Sequence, residues 1–262
     1  MSSNPYAAPK AAVADATIPV RGDFVPEGRG VAAGRGVSWI GEAWDLFKQA
    51  PGLWIGMVIV MFVIFIVAAF IPILGPLATM IFFPVFMGGL MLGCRALEEN
   101  QDFEFAHLFA GFRQNFGTLV AIGALYLAAT VVIMLIVMVI TGVGMFAAFS
   151  GGAAQPDPGD LGAMFATMGL AMLIYLALTV PVLMAVWLAA PLVVFHDQGA
   201  FEAMKGSFFG CLKNILPFLV YGVIMLVLAI VASLPLALGW LVLGPMTIAS
   251  VYTAYRDIYL SA

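Results

Sequence analysis

Four long apolar runs, 51–97, 118–149, 161–195 and 214–255, organise the chain, and apart from Arg95 they contain no Lys, Arg, Asp, Glu or His. Each is longer than the ~20 residues a helix needs to cross a bilayer. None has the alternating pattern of a membrane barrel strand. The first and last runs are long enough for two crossings and are interrupted by turn-forming stretches, "IPILGP" with Pro72, Gly75 and Pro76, and "SLPLALGW" with Pro235 and Gly239. The pattern predicts an all-α fold, a polytopic bundle with six spans near 53–72, 77–95, 118–140, 169–195, 215–234 and 238–255.

Upstream of the first run the periodicity changes. Ile40, Ala43, Trp44 and Phe47 recur at helical spacing while Ser38, Glu42, Asp45 and Lys48 occupy other faces, which predicts an amphipathic helix on the membrane surface. Pro51 and Gly52 then turn the chain into the bilayer, with Trp54 expected at the half-wet interface. The same device recurs: "WDLFKQ", "FAGFRQ" and "FGCLKN" share an aromatic, an apolar, a basic and an amide residue in one order, each ahead of a span. This predicts three parallel repeats, near 37–100, 101–198 and 199–259, each a surface helix plus a helical hairpin. Pro84 precedes Arg95 by the same distance as Pro245 precedes Arg256; in the middle unit the matching residue after Pro191 is Glu202. That unit is also longer, through an insert at 141–169. The insert is either two overlong, tilted helices or a flap over a lateral opening.

Composition changes the picture from long helices to membrane helices. With 64% hydrophobic residues, 9% charged residues and a mean hydropathy of +1.11, the chain has more apolar surface than a soluble domain of 262 residues can hide. All ten Lys and Arg fall on one side of the six spans, so the positive-inside rule places both termini in the cytoplasm. Residues 1–36, rich in Ala, Pro and Gly with scattered charges, read as a disordered cytoplasmic tail. Lys48, Arg113 and Lys213 on the surface helices, with Arg95 and Arg256 at span ends, are the candidate contacts for anionic headgroups.

Little in the chain suggests bond-breaking chemistry. Glu104 and His107 form an E-x-x-H, but with only two histidines in the chain a di-metal site lacks ligands. His196 and Asp197 end span four with no nucleophile assigned to them, and Cys94 and Cys211 have neither metal nor disulfide spacing. Gly88, Gly89 and Gly93 predict close helix packing. The spans carry no ionisable coupling residue; their polar content is hydroxyls, including Tyr126, Thr130, Tyr175, Thr179, Tyr221, Thr247, Ser250, Tyr252 and Thr253. Pro181, just after Thr179, predicts a kink and makes the pair a candidate gate.

The stretches "WIGEAWDLFKQAPGLWI", "LFAGFR", "VFHDQGAFEAMKGSFFGCLKNILPFLVYG", "YTAYRDIY" and "NPYAAP" resemble an uncharacterised family of proteobacterial inner-membrane proteins. The hairpin repeats are more distantly similar to the membrane domain of glycerophosphodiester phosphodiesterases, whose catalytic domain has no counterpart here. The resemblance implies a six-helix fold in the bacterial inner membrane and no catalytic residues. The expected function is a non-enzymatic membrane module that interacts with lipids, a membrane-protein partner or a second copy of itself, without cofactor or nucleic acid. The alternative is an uncoupled permease or lipid transporter gated by the 141–169 insert.

Overall fold

A computed structural model describes residues 22–149 and 158–261, with side chains omitted at 143–149 and 158–161. The described residues are helical apart from short connections and one isolated bridge between Phe24 and Leu260. Helix α1 (Arg35–Gln49) leads into α2 (Pro51–Ala69) and α3 (Leu74–Glu98). A 3-10 helix (Phe105–Phe112) leads into α4 (Phe116–Phe149), α5 (Pro158–Trp187) and α6 (Ala189–His196). Then come α7 (Ala200–Lys213), α8 (Ile215–Ser233) and α9 (Trp240–Tyr259).

Five segments are long and apolar enough to cross a membrane: Pro51–Ala69, Leu74–Glu98, Phe116–Gly142, Gly162–His196 and Ile215–Ser233. Helix α9, expected as a sixth span, is less apolar because it is the central helix of the bundle. From Leu243 onward most of its residues are buried, and its hydroxyls bond inside the protein. Tyr221 and Ser250 share a 2.7 Å hydrogen bond, and Thr253 donates to the Trp39 carbonyl at 3.0 Å. A helix solvated by protein need not match hydrocarbon.

The α2–α3 and α8–α9 connections are the tight turns expected. Ile73 adopts φ 65° in one, Leu236 and Ala237 φ 51° and 63° in the other. Gly75 closes the first against α2, where an added Cβ would stand 1.8 Å from the Ala68 carbonyl oxygen. Gly239 closes the second against Ala232 in the same way, at 2.4 Å from its Cα. The 141–169 insert follows the overlong-helix expectation. Residues 141–149 prolong α4 and 158–169 belong to α5, while 150–157 lie outside the described residues.

Helix α5 carries Pro181 inside it, and a break that the sequence did not announce falls at Leu188, ahead of Pro191. A proline ring crowds the carbonyl four residues back, here Trp187. Ser207 of α7 takes up the slack: its hydroxyl accepts from the Leu188 N–H at 2.8 Å and donates to the Met184 carbonyl at 2.6 Å. Trp54, expected half wet, is fully buried against Phe103 with ring centres 4.9 Å apart; on α1 it is Trp39 that is fully buried, while Trp44 is 41% exposed.

The expected disordered tail, in its described part, is an ordered strap; residues 1–21 lie outside the described residues. The Val25 and Arg29 N–H groups donate to the Tyr259 and Ile258 carbonyls, both at 2.8 Å, and Ser261 N–H donates to the Asp23 carbonyl at 2.9 Å. Asn214 accepts from Val31 N–H at 2.8 Å and donates to the Arg29 carbonyl at 2.9 Å. Phe24 stacks on His196 with ring centres 3.5 Å apart. These bonds are made by backbone to distant residues, so no apolar periodicity announces them.

Packing is uneven along the membrane normal. At the charged end, α3 is buried almost continuously from Pro84 to Leu97, and α2 and α8 bury Trp54, Met57, Pro217 and Tyr221 near their starts. Glycines let backbones touch there: a Cβ at Gly89 would lie 2.3 Å from the His107 carbonyl oxygen, and one at Gly111 2.0 Å from that of Val85. At the far end the same helices expose Phe70, Ile73, Leu74, Leu234 and Leu236. The bundle is tight at one end and open at the other.

Candidate functional site

Charge collects at the tight end in a hub that joins strap, α1, α3 and α9. Asp257 accepts from Arg35 Nε at 2.6 Å, from the Trp39 indole at 2.9 Å and from Arg29 Nη2 at 3.5 Å. Glu42 accepts from Arg35 Nη2 at 2.9 Å and from Arg256 Nη2 at 2.5 Å. Glu98 accepts from the Tyr252 hydroxyl at 2.5 Å and from Arg256 Nη1. Beside it Arg95 pairs with Glu99 at 3.7 Å and lies 5.0 Å from the centre of the Phe195 ring. Each arginine has a carboxylate partner, so the hub is neutral. The hydrogen bond to Asp257 and the nearby carboxylates hold the Arg35 guanidinium charged by raising its pKa above the ordinary value.

The predicted headgroup contacts therefore have different surroundings. Arg256 and Arg95 are committed to protein carboxylates. Lys213 donates to the Glu27 and Gly28 carbonyls at 2.9 and 3.2 Å and so fastens the strap. Lys48 makes an exposed pair with Asp45 at 2.8 Å. Among the described residues, Arg113 and Lys205 are the basic side chains with no hydrogen-bond or ion-pair partner, and both are exposed. Lys205 carried no motif that singled it out; only the pairing of the others does so.

Glu104 and His107 have a local role. They form a capping box on the 3-10 helix, the Glu104 N–H donating to His107 Nδ1 at 3.1 Å. No cluster of three His, Cys, Asp or Glu suited to a metal occurs among the described residues. His196 Nε2 lies 2.6 Å from the Tyr255 hydroxyl, and Asp197 caps α6 in the left-handed conformation while accepting from Asn115 at 2.8 Å. Both cysteines are buried, and burial pushes the Cys211 thiol up to about 12. The Thr179 hydroxyl, two residues before Pro181, is shut from solvent without a hydrogen-bond partner.

Midway along the helices lies a different kind of space. A cavity of 370 Å³ between α3, α4, α5 and α9 is lined by Met80, Phe83, Met87, Leu183, Trp187 and Ile248, among others. Thr79 and Thr247 at its wall spend their hydroxyls on the carbonyls of Gly75 and Leu243, leaving the Tyr126 hydroxyl and the Trp187 indole as its polar groups. No Asp, Glu, His, Lys or Arg lines it. Sequence periodicity marked these residues as apolar, but not that they face a shared space.

A chain whose described residues are helical, with five membrane-capable segments and the ion pairs of those residues gathered at one end, is a multi-pass membrane protein. It is similar to a probable inner membrane protein of Burkholderia thailandensis, with 25% identity over 246 residues, covering 88% of this chain and 87% of that protein. No family profile matches the chain, and no solved structure matches it. The resemblance to the phosphodiesterase membrane domain gains no support from these comparisons.

Proposed function

We propose that the chain is a non-enzymatic, lipid-interacting module of the bacterial inner membrane, with six spans and both termini in the cytoplasm. The observation that carries this is the partition of charge. The hub neutralises itself, so Arg113 and Lys205 are left for anionic headgroups. Phe109, Phe112, Phe201 and Phe209 are exposed on the same surface elements, Phe116 is exposed at the start of α4, and all suit the interface.

The three-repeat reading is supported by element order. Helix α1, the 3-10 helix and α7 are each followed closely by a long apolar helix, and the first and third hairpins close on a glycine packed against the preceding helix. On this reading α9 is the sixth span. The transporter alternative has the cavity in its favour, but the described parts of its expected gate are continuations of α4 and α5. The test is lipid retention by native mass spectrometry. An Arg113→Gln/Lys205→Gln variant is expected to hold phosphatidylglycerol roughly thirtyfold less well, since each of the two basic residues at the surface contributes about 1 kcal/mol. Retention equal to that of the unaltered protein rejects the headgroup role.

A further inference from the structure

We propose that the cavity between α3, α4, α5 and α9 is a binding site for one hydrocarbon chain of a membrane lipid. This rests on reading the chain as a lipid-interacting module, but on different residues from the headgroup contacts.

Depth comes first. Met87 and Thr247, on the cavity wall, precede Arg95 and Arg256 by eight and nine residues along α3 and α9, which at ~1.5 Å per residue is about 13 Å from the charged end. Half the hydrocarbon thickness is about 15 Å, so the space lies near the bilayer midplane, where chains and not headgroups reside. Access comes next. Phe83 of α3 and Leu183 of α5, both in the lining, are each 42% exposed, so the cavity opens sideways toward lipid.

Lining and size then select the occupant. With no charged group and its two threonines satisfied by their own helices, the wall offers an ion or a sugar only the Tyr126 hydroxyl and the Trp187 indole, too few groups to replace its water. A partner's membrane helix, about 10 Å across, needs roughly 400 Å³ for a single turn, so a helix long enough to matter does not fit in 370 Å³. A slender chain that can bend fits with part of its length inside and the rest among the surrounding lipid. Met80 and Met87 supply the adaptable, polarizable surface that tolerates different chain lengths and unsaturation.

Phosphatidylglycerol carrying a diazirine at the middle of one acyl chain, photolysed with the full-length protein in nanodiscs, tests this. Adducts are expected on Met80, Met87, Leu183 and Thr247. Leu183→Trp, which fills the space from a partly exposed position, is expected to lower them about tenfold by displacing buried chain. Leu176→Trp, on the same helix but outside the lining, is expected to leave them unchanged. Adducts confined to lipid-facing positions such as Leu176 and Val180, or undiminished in Leu183→Trp, overturn the proposal. The adduct map of the unaltered protein decides it even where Leu183→Trp does not insert. Loss of phosphatidylglycerol from the Arg113→Gln/Lys205→Gln variant without cavity adducts removes the chain site and keeps the headgroup reading. Cavity adducts with unchanged retention do the reverse.

Discussion

The two ends of this bundle are built from different interactions. At the charged end, directional bonds tie elements distant in sequence: Asp257 alone gathers donors from Arg29, Arg35 and Trp39. At the far end the helices turn on Ile73 and Leu236, 76% and 92% exposed, and little but apolar surface is presented. Lipid solvates apolar side chains as well as protein does, so there is no hydrophobic gain in closing the far end. Polar groups have no such freedom. A carboxylate or guanidinium near hydrocarbon must find a partner, and satisfying three carboxylates at once draws strap, α1, α3 and α9 together. The lesson is that in this membrane protein the sparse polar residues determine where the bundle is rigid, and the abundant apolar ones leave the rest adaptable enough to admit a chain.

Substitutions can sharpen or break that contrast. Asp257→Ala strands the Arg29 and Arg35 charges and the Trp39 indole; with the carboxylate 11% exposed, a loss of about 3 kcal/mol is expected, read as thermal unfolding in nanodiscs. A loss as small as that of an ordinary surface change would show that the hub is not what holds this end. Ser207→Ala removes the hydroxyl that serves the Leu188 N–H at the α5–α6 break, with an expected cost of roughly 1.5 kcal/mol by the same measurement. Amide exchange at Leu188 should rise with it; unaltered exchange would mean that the break is held by packing alone. Phe70→Ala, at a side chain 81% exposed beyond α2, is expected to cost less than about 0.5 kcal/mol. A larger effect would mean that the far end is covered by something that stabilises it.

The recognition of helices was a local matter and was legible. Apolar runs, the glycines and prolines at 72–76 and 235–239, and the amphipathic spacing around Ile40 and Phe47 act over one or two turns of chain, so their consequences follow from neighbours. That predicted the elements, the tight turns and the gathering of basic residues on one side of the apolar segments. The capping role of the E-x-x-H at 104–107 emerged only from the structure. The functional assignment of charge was not. Arg256 pairs with Glu42 and Glu98, and Arg35 with Asp257, across much of the chain, and nothing near any of them says which basic side chain is left without a partner.

By itself, then, the sequence determined that this protein is helical, lives in a membrane and keeps its basic residues on one side of its apolar segments, because hydropathy and turn chemistry are properties of short segments. Only the tertiary structure decided that Arg113 and Lys205 are the unpaired cations among the described residues, that residues 22–34 are strapped down, and that Met80, Leu183 and Thr247 border one cavity. Each of those depends on which distant groups come within a few ångströms of one another, and that is settled by packing the whole chain at once.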